Sequence, residues 1–435
     1  MTFKIIETFS GIGAQAKAFK NIQKKNPEFN YKVLTTVEWE IGAMYAYDLI
    51  HHGPQDLSLY EKSSKENLIS FLEQYNLSAD GKQPLKKGAL KRMSIEKLKA
   101  IRHSIENTNN LVDISTVHSQ SLPEADLLTY SFPCQDLSIS SYWHKNFSGI
   151  AKGIENRSGL LWEIERILKE YKKYDQKLPR FLLMENVSAI QGPLHLANFE
   201  MWQKELERLG YLNITYDLNA SNFGIPQNRT RTFMISIFKN DLTPLQIGKI
   251  NEFFKLINLE RLTDNPTIDN FLRLDYSNSQ YFKEALMSTP NDTPSRRKIG
   301  AKSVRLADGQ IPRNNIAKTI TTKQDRFPNA GIVIHKQDFG SKKMDYRNLT
   351  PRETFLLMGF DESDFQRLLD YNLSISSSRK MLSNAKLLKL SGNSIVVNVL
   401  EEIFYALITV NDSILQNNFD YLQYKQAPHK LVRYS

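Results

Sequence analysis

One thiol in 435 residues sets the chemical question. Cys134 stands in Ser131-Phe132-Pro133-Cys134-Gln135-Asp136, directly after residues 126–130, which read as a strand. That places it in a loop beyond the carboxyl end of a strand, where open α/β folds keep their active sites. A lone Cys is more often an inert core residue, but Pro-Cys-Gln has little apolar packing to offer. A thiolate is a strong nucleophile once a nearby cation lowers its pKa from ~8.5. Glu185 ends another apolar strand, and burial there would raise its pKa towards use as an acid. In Gln227-Asn228-Arg229-Thr230-Arg231, which precedes a further strand, extended backbone would point Arg229 and Arg231 to one side. Each of these also has a plain account as a cap or a surface ion pair. Phe9-Ser10-Gly11-Ile12-Gly13 follows the first strand, so its glycines either admit a ligand close to the backbone or make a tight turn. Glu38-Trp39 ends the second strand, as an acid able to accept from ribose hydroxyls beside an indole able to stack on adenine, or as a solvated cap.

The elements that must hold these residues follow from hydrophobic period. Residues 4–9, 32–37, 126–130, 181–184, 212–218 and 232–238 are short β-branched or aromatic runs. Between them Leu161, Ile164 and Leu168 share one helical face, and so do Trp202, Leu206 and Leu209, with Gly210 as C-cap. This alternation predicts an α/β fold with a mostly parallel sheet. Two stretches break it. Residues 60–110 read as a helical insertion, with Ile95, Leu98, Ile101 and Ile105 at helical spacing; residues 241–346 read as a second domain. The chain carries 57 Lys and Arg against 47 Asp and Glu, an excess that suits a polyanionic partner. Residues 296–326 concentrate it, with nine basic residues against two acidic ones. The single Cys excludes an intramolecular disulfide and a cysteine-built zinc site, and no metal is expected. No apolar run of membrane-spanning length and no signal-peptide layout is evident, so a cytoplasmic protein with no membrane partner is expected.

Taken together and in order, these segments resemble the DNA cytosine-5 methyltransferase family. The likeness rests on Phe9-Ser10-Gly11-Ile12-Gly13, Glu38-Trp39, Asp113-Ile114, the Pro133-Cys134-Gln135 loop, Met184-Glu185-Asn186-Val187, Gln227 to Arg231, residues 347–360 and Gly392-Asn393-Ser394-Ile395-Val396-Val397. Residues 127–138 and 157–167 look like bacterial members, including CG-methylating enzymes of mollicutes. The resemblance implies a class I S-adenosylmethionine-dependent fold, Rossmann-like with a seven-stranded sheet, and a smaller target-recognition domain. The implied division is a catalytic domain over 1–240, a recognition domain and hinge over 241–383, and a segment over 384–435 that completes the first domain. It also implies that Cys134 adds to cytosine C6, that Glu185 meets N3 and the exocyclic amine, and that Arg231 holds O2 with Arg229 in support. Phe9, Gly11, Gly13, Glu38, Trp39, Asp113, Ile114, Pro133, Asn393 and Val396 would line the site of S-adenosyl-L-methionine, the methyl donor.

A base stacked in a duplex cannot be attacked on both sides of its ring, so the cytosine must be flipped out. Ser148, in Ser148-Gly149-Ile150-Ala151-Lys152-Gly153, resembles the family's residue that fills the vacated space. Residues 140–147 read as an insertion beside it that offers Trp143 or His144 instead. Arg305, Thr319, Thr321, Thr322 and Arg326 are the candidate DNA contacts, Thr319-Ile320-Thr321-Thr322 resembling the family's Thr-rich element. The implied partners are double-stranded DNA and a cognate restriction endonuclease acting on the same site, with the enzyme itself a monomer. An RNA cytosine-5 methyltransferase, an idle DNA-binding homologue and a nicotinamide-dependent oxidoreductase are the alternatives. The long recognition region disfavours the first, the intact Cys134, Glu185 and Arg231 the second, and Pro-Cys-Gln beside Glu-Asn-Val the third.

Overall fold

The computed structural model describes residues 2–133, 158–257, 259, 266–335, 337, 339–340, 342–376 and 379–414. Cys134, Ser148 and the insertion at 140–147 lie outside the described residues. Among the described residues the strands are β1 (Thr2–Thr8), β2 (Asn30–Val37), β3 (Leu127–Tyr130), β4 (Phe181–Val187), β5 (Tyr211–Asn219), β6 (Gln227–Asn228), β7 (Thr230–Phe238), β8 (Arg305–Asp308), β9 (Ile311–Pro312), β10 (Ala317–Lys318), β11 (Ile332–Ile334), β12 (Tyr346–Asn348), β13 (Ser374–Ser376) and β14 (Arg379–Lys380). The helices are α1 (Ala14–Lys25), α2 (Ile41–His52), α3 (Lys65–Leu72), α4 (Ile95–Asn107), α5 (Leu161–Lys173), α6 (Leu196–Leu209), α7 (Pro244–Leu256), α8 (Ser279–Ser288), α9 (Pro294–Lys302), α10 (Pro351–Leu356), α11 (Glu362–Asp370), α12 (Asn384–Asn393) and α13 (Val397–Thr409).

Among the described residues the main sheet has six strands in the order β2-β1-β3-β4-β7-β5. β1 pairs in parallel with β2 and β3, and β3 with β4, while β7 runs antiparallel between β4 and β5. Side chains alternate across such a sheet, and both of its faces are covered. Ile5, Leu127, Leu183 and Ile235 join one core with α1, α2, α4 and α13. Ile6, Leu128, Leu182 and Met234 join the other, with Leu161, Ile164 and Leu168 of α5 and Trp202, Leu206 and Leu209 of α6. Gly210 caps α6 at φ 102°, a left-handed conformation that glycine adopts without strain.

A seventh strand was expected, and among the described residues the single parallel bridge Thr36 to Asn110 forms beside β2 in its place. The reason is local: Asn109 at φ 45° and Val112 at φ 66° turn the backbone out of extended geometry on either side of that bridge. In the insertion, Leu98, Ile101 and Ile105 are buried, but Ile95 in the first turn of α4 stays exposed. Residues 241–348 carry α7 to α9 and a four-stranded sheet in the order β12-β11-β8-β9, whose strand β12 runs two residues past the expected boundary at 346. β10 leaves that unit and pairs in parallel with β6, joining Ala317 to Gln227 and Lys318 to Asn228.

One apolar stretch escaped the sequence reading. Asn384–Asp412 is long and apolar enough, by length and composition alone, to cross a membrane, yet 72% of its most apolar window is buried inside the protein. Phe404 of α13 stacks on Phe19 of α1 at 4.0 Å, so this stretch belongs to the core.

Candidate active site

In the sheet β1 lies between β2 and β3, and a crevice opens at the carboxyl ends of strands where the order reverses. Phe9 follows β1, Glu38 follows β2, Ser131 to Pro133 follow β3, and Glu185 lies near the end of β4. β7 runs the other way, so its start, with Arg231, reaches the same edge: Val187 pairs with Arg231. Among the described residues these line a cleft of about 1510 Å³ that extends to Thr319 to Lys323, Arg326 and Asn393.

At one end of the cleft is the loop after β1. Phe9 and Gly11 take φ of 54° and 55°, and a Cβ on Gly11 would meet open space. Glu38 Oε2 accepts from the Gly11 amide at 3.0 Å, and its Oε1 from the Glu40 amide at 2.7 Å. Burial pushes the Glu38 carboxyl up to about 7; the Glu40 charge adds to this, while the two amides and Lys389 oppose it. Asn110, which the sequence reading passed over, clamps the Glu38 backbone at both its N–H (3.0 Å) and its carbonyl (2.9 Å). Trp39, Asp113, Ile114 and Pro133 also line the cleft. Asp113 is engaged at both oxygens, accepting from the Ser115 amide at 3.0 Å and from Asn76 Nδ2 of the insertion at 2.9 Å.

Two expected cofactor contacts are not on the cleft wall. Gly13, at φ 78°, is packed so tightly that a Cβ would fall 2.2 Å from His51 Nε2, and that nitrogen donates to the Ile12 carbonyl at 3.1 Å. Its role is to let α2 brace the loop from behind. Val396 is buried as the residue before α13, and Asn393 to Ile395 face the cleft in its place.

At the other end Arg231 Nε lies 3.4 Å from Glu185 Oε1. Burial raises the Glu185 carboxyl, and the positive charges of Arg231 and then Arg229 oppose the rise. Asn186 donates to the Phe132 carbonyl at 3.1 Å, tying the start of the Cys134 loop to β4. Arg229, expected with the catalytic residues, is almost fully buried: its guanidinium donates to the carbonyls of Ile320 (2.9 Å), Gly392 (3.2 Å) and Ser394 (2.8 Å). It ties its own strand to two distant backbone segments, at residue 320 and at residues 392–394.

The Thr-rich element belongs to the same junction. Thr319 Oγ1 donates to the Asn228 carbonyl at 2.7 Å. The backbone of Thr321 and Thr322 presses on Gly392, where a Cβ would lie 2.6 Å from Thr321 C. Thr319, Thr321, Thr322 and Arg326 line the cleft, whereas Arg305 is exposed on β8 away from it. A further cluster went unread in the sequence. Lys386 and Lys389, one turn apart on α12, donate to the two carboxylate oxygens of Glu40 at 2.6 and 2.7 Å. They also donate to the carbonyls of Ala79 and Asp80, which fixes the insertion's loop at the rim beside Trp39.

The loop that follows β3, a buried acid paired with an arginine, and a glycine loop facing a buried carboxyl thus share one cleft. The chain matches the model of the C-5 cytosine-specific DNA methylase family over residues 91–409. It is 34% identical over 405 residues to the orphan methyltransferase M.SssI of Spiroplasma monobiae, covering 92% of this chain and 96% of that protein. It is 31% identical over 405 residues to the type II methyltransferase M2.ScrFI of Lactococcus lactis subsp. cremoris, covering 93% and 98%. Among solved structures, the S. pombe Dnmt2 methyltransferase shares the fold with a TM-score of 0.56 at 18% identity, covering 96% of this chain and 100% of that one. Extent of match, identity and fold agree: the chain belongs to the C-5 cytosine-specific DNA methylase family.

Proposed function

We propose that the cleft transfers a methyl group from S-adenosyl-L-methionine to C5 of a cytosine flipped out of a specific duplex DNA sequence. The observation that carries this reading is the Glu185 and Arg231 pair, 3.4 Å apart, in the same cleft as the Glu38 and Gly11 contact. The residues at the latter end fit the donor. Glu38 keeps free lone pairs for ribose hydroxyls, Trp39 offers an adenine an apolar face, and the open side of Gly11 lets an amino-acid group approach the backbone. When bound, S-adenosylmethionine supplies an electrophilic methyl group. This chain's own residues do the rest.

Cytosine C5 is a poor nucleophile. Addition of the Cys134 thiolate to C6 gives an enamine at C5, and the charge that builds on the ring is met at N3 by the proton of Glu185 and at O2 by Arg231. A carboxyl raised by burial can hold that proton, and the neighbouring arginine keeps it able to give the proton up. Once C5 is alkylated, loss of its proton to water, departure of Cys134 as thiolate and return of the N3 proton to Glu185 restore the aromatic ring. Arg229 holds the recognition strand and the segment after α12 against the site. Residues 241–383 serve as the target-recognition domain and hinge, with Thr321, Thr322 and Arg326 as DNA contacts. The enzyme acts as a cytoplasmic monomer, paired with a restriction endonuclease of the same specificity.

Expression in a host without such methylation, followed by genome-wide mapping of 5-methylcytosine, tests the activity and yields the target. With that target in hand, Cys134→Ser should abolish methyl transfer while DNA binding persists. A duplex carrying 5-fluorocytosine at the target should crosslink to the wild type and not to the variant. Turnover retained in Cys134→Ser would refute the assignment.

A further inference from the structure

Among the described residues Phe327 is the one phenylalanine left largely exposed, at 59%. It does not sit on a fraying loop. The amides of Arg326 and Phe327 both donate to the Lys323 carbonyl, at 2.9 and 2.8 Å, and Asn329 N–H donates to the Phe327 carbonyl at 2.7 Å. Asn329 Nδ2 anchors the turn to the Thr319 carbonyl at 2.7 Å, and Arg296 Nη1 holds the Arg326 carbonyl at 2.8 Å. A braced backbone therefore presents an aromatic ring to water. Its neighbours Lys323, Asp325, Arg326 and Asn329 line the same cleft as Glu185 and Arg231.

The surroundings select the partner. Lys323, Arg326 and Arg296 meet at this turn, so the ring stands among cationic side chains that suit a polyanion. A flat apolar ring at a phosphate-binding surface matches the π-face of a nucleobase, and apolar wedges of this kind unstack duplex steps. We propose that Phe327 stacks on the base-pair face that opens when the target cytosine leaves the helix, making extrusion less unfavourable from the recognition side. This rests on the methyltransferase reading above. The wedge acts beside any residue of the loop after Cys134, because it comes from a separate segment of the chain.

The test uses the full chain, cofactor and two duplexes containing the mapped target, one fully paired and one with the target cytosine opposite an abasic site. On the paired duplex Phe327→Ala should lose about tenfold in kcat/KM, the loss of one aromatic stacking contact, while Phe327→Trp should stay within about threefold of wild type. Opposite an abasic site the base is already unpaired, so the Phe327→Ala deficit should shrink to about twofold or less. The same order should appear in 2-aminopurine fluorescence at the target position. Cofactor affinity and the urea midpoint should match wild type, which a merely structural role would not allow. Equal losses on both duplexes, or none on the paired one, would overturn the wedge. A wild-type protein that methylates neither duplex would instead overturn the reading on which it rests.

Discussion

Glu7 lies in the middle of β1, paired with Thr36 of β2 and Thr129 of β3, and has no exposed surface. Neither carboxylate oxygen makes a hydrogen bond of ordinary geometry. Burial pushes its pKa from 4.5 to about 8, and the nearby Tyr47 hydroxyl and Ala16 amide offset only part of that. The folded protein thus prefers the protonated acid, whereas the unfolded chain ionises it near 4.5. The stability this group contributes is intact below about pH 4.5 and is lost as pH rises through about 8. Between about pH 5 and pH 8 three pH units separate the two states' protonation, and at ~1.4 kcal/mol per unit the loss approaches about 4 kcal/mol, an upper bound that water entry would reduce. Glu7→Gln keeps the shape and polarity of the protonated acid but cannot ionise. Urea unfolding of both proteins across this range should show the variant close to wild type at low pH and progressively more stable as pH rises. A constant difference between the two curves would refute the reasoning, because it would mean that Glu7 is already ionised, or solvated, in the folded state.

Gly392→Ala gains up to about 1 kcal/mol of helix propensity but drives a methyl group into the Thr321 and Thr322 backbone, 2.6 to 2.7 Å away. Overpacking of that kind costs about 1–3 kcal/mol, so the variant should unfold at lower urea and lose activity; equal or higher stability would contradict the packing argument. In the proposed cofactor site Glu38, raised to about 7, accepts a pair of ribose hydroxyls more strongly as the ionised carboxylate than as the acid, so cofactor binding should favour loss of its proton. Affinity for S-adenosylhomocysteine measured by calorimetry should therefore rise as pH increases through about 7, even as this carboxyl's contribution to the free protein's stability falls, and Glu38→Gln should flatten the profile.

The strands were legible because β-branched runs separated by amphipathic helices leave few other arrangements, and all six expected strands form with ends shifted by a few residues. The cleft was legible in part because motifs at strand ends converge once the sheet is parallel. What could not be read were contacts whose partners lie far along the chain. Arg229 looks like the twin of Arg231, and only the fold reveals its bonds to carbonyls 91 and 165 positions away. Gly13 looks like a ligand-facing glycine until His51 is seen behind it. The missing seventh strand hinges on positive φ at Asn109 and Val112, which no propensity scale would assign to a valine. Cys134, Gln135 and the loop residues after them lie outside the described residues, so that reading stays with the sequence.

The helix α12 explains why the site needs residues from both ends of the chain. Lys386 and Lys389 on it reach Glu40 and the insertion's loop, on the cofactor side of the cleft. At its carboxyl end Gly392 meets the Thr321 backbone, and the carbonyls of Gly392 and Ser394 take the guanidinium of Arg229, on the recognition side. Charged side chains held by several partners resist displacement more than a single surface ion pair does, because removing one partner leaves the others buried with unmet demand. A rigid rod fixed at both ends cannot tilt at its Gly392 end without pulling on Glu40, two residues from Glu38. A displacement of residues 320–322 would therefore be transmitted through α12 to the loop that carries Glu38 and Glu40.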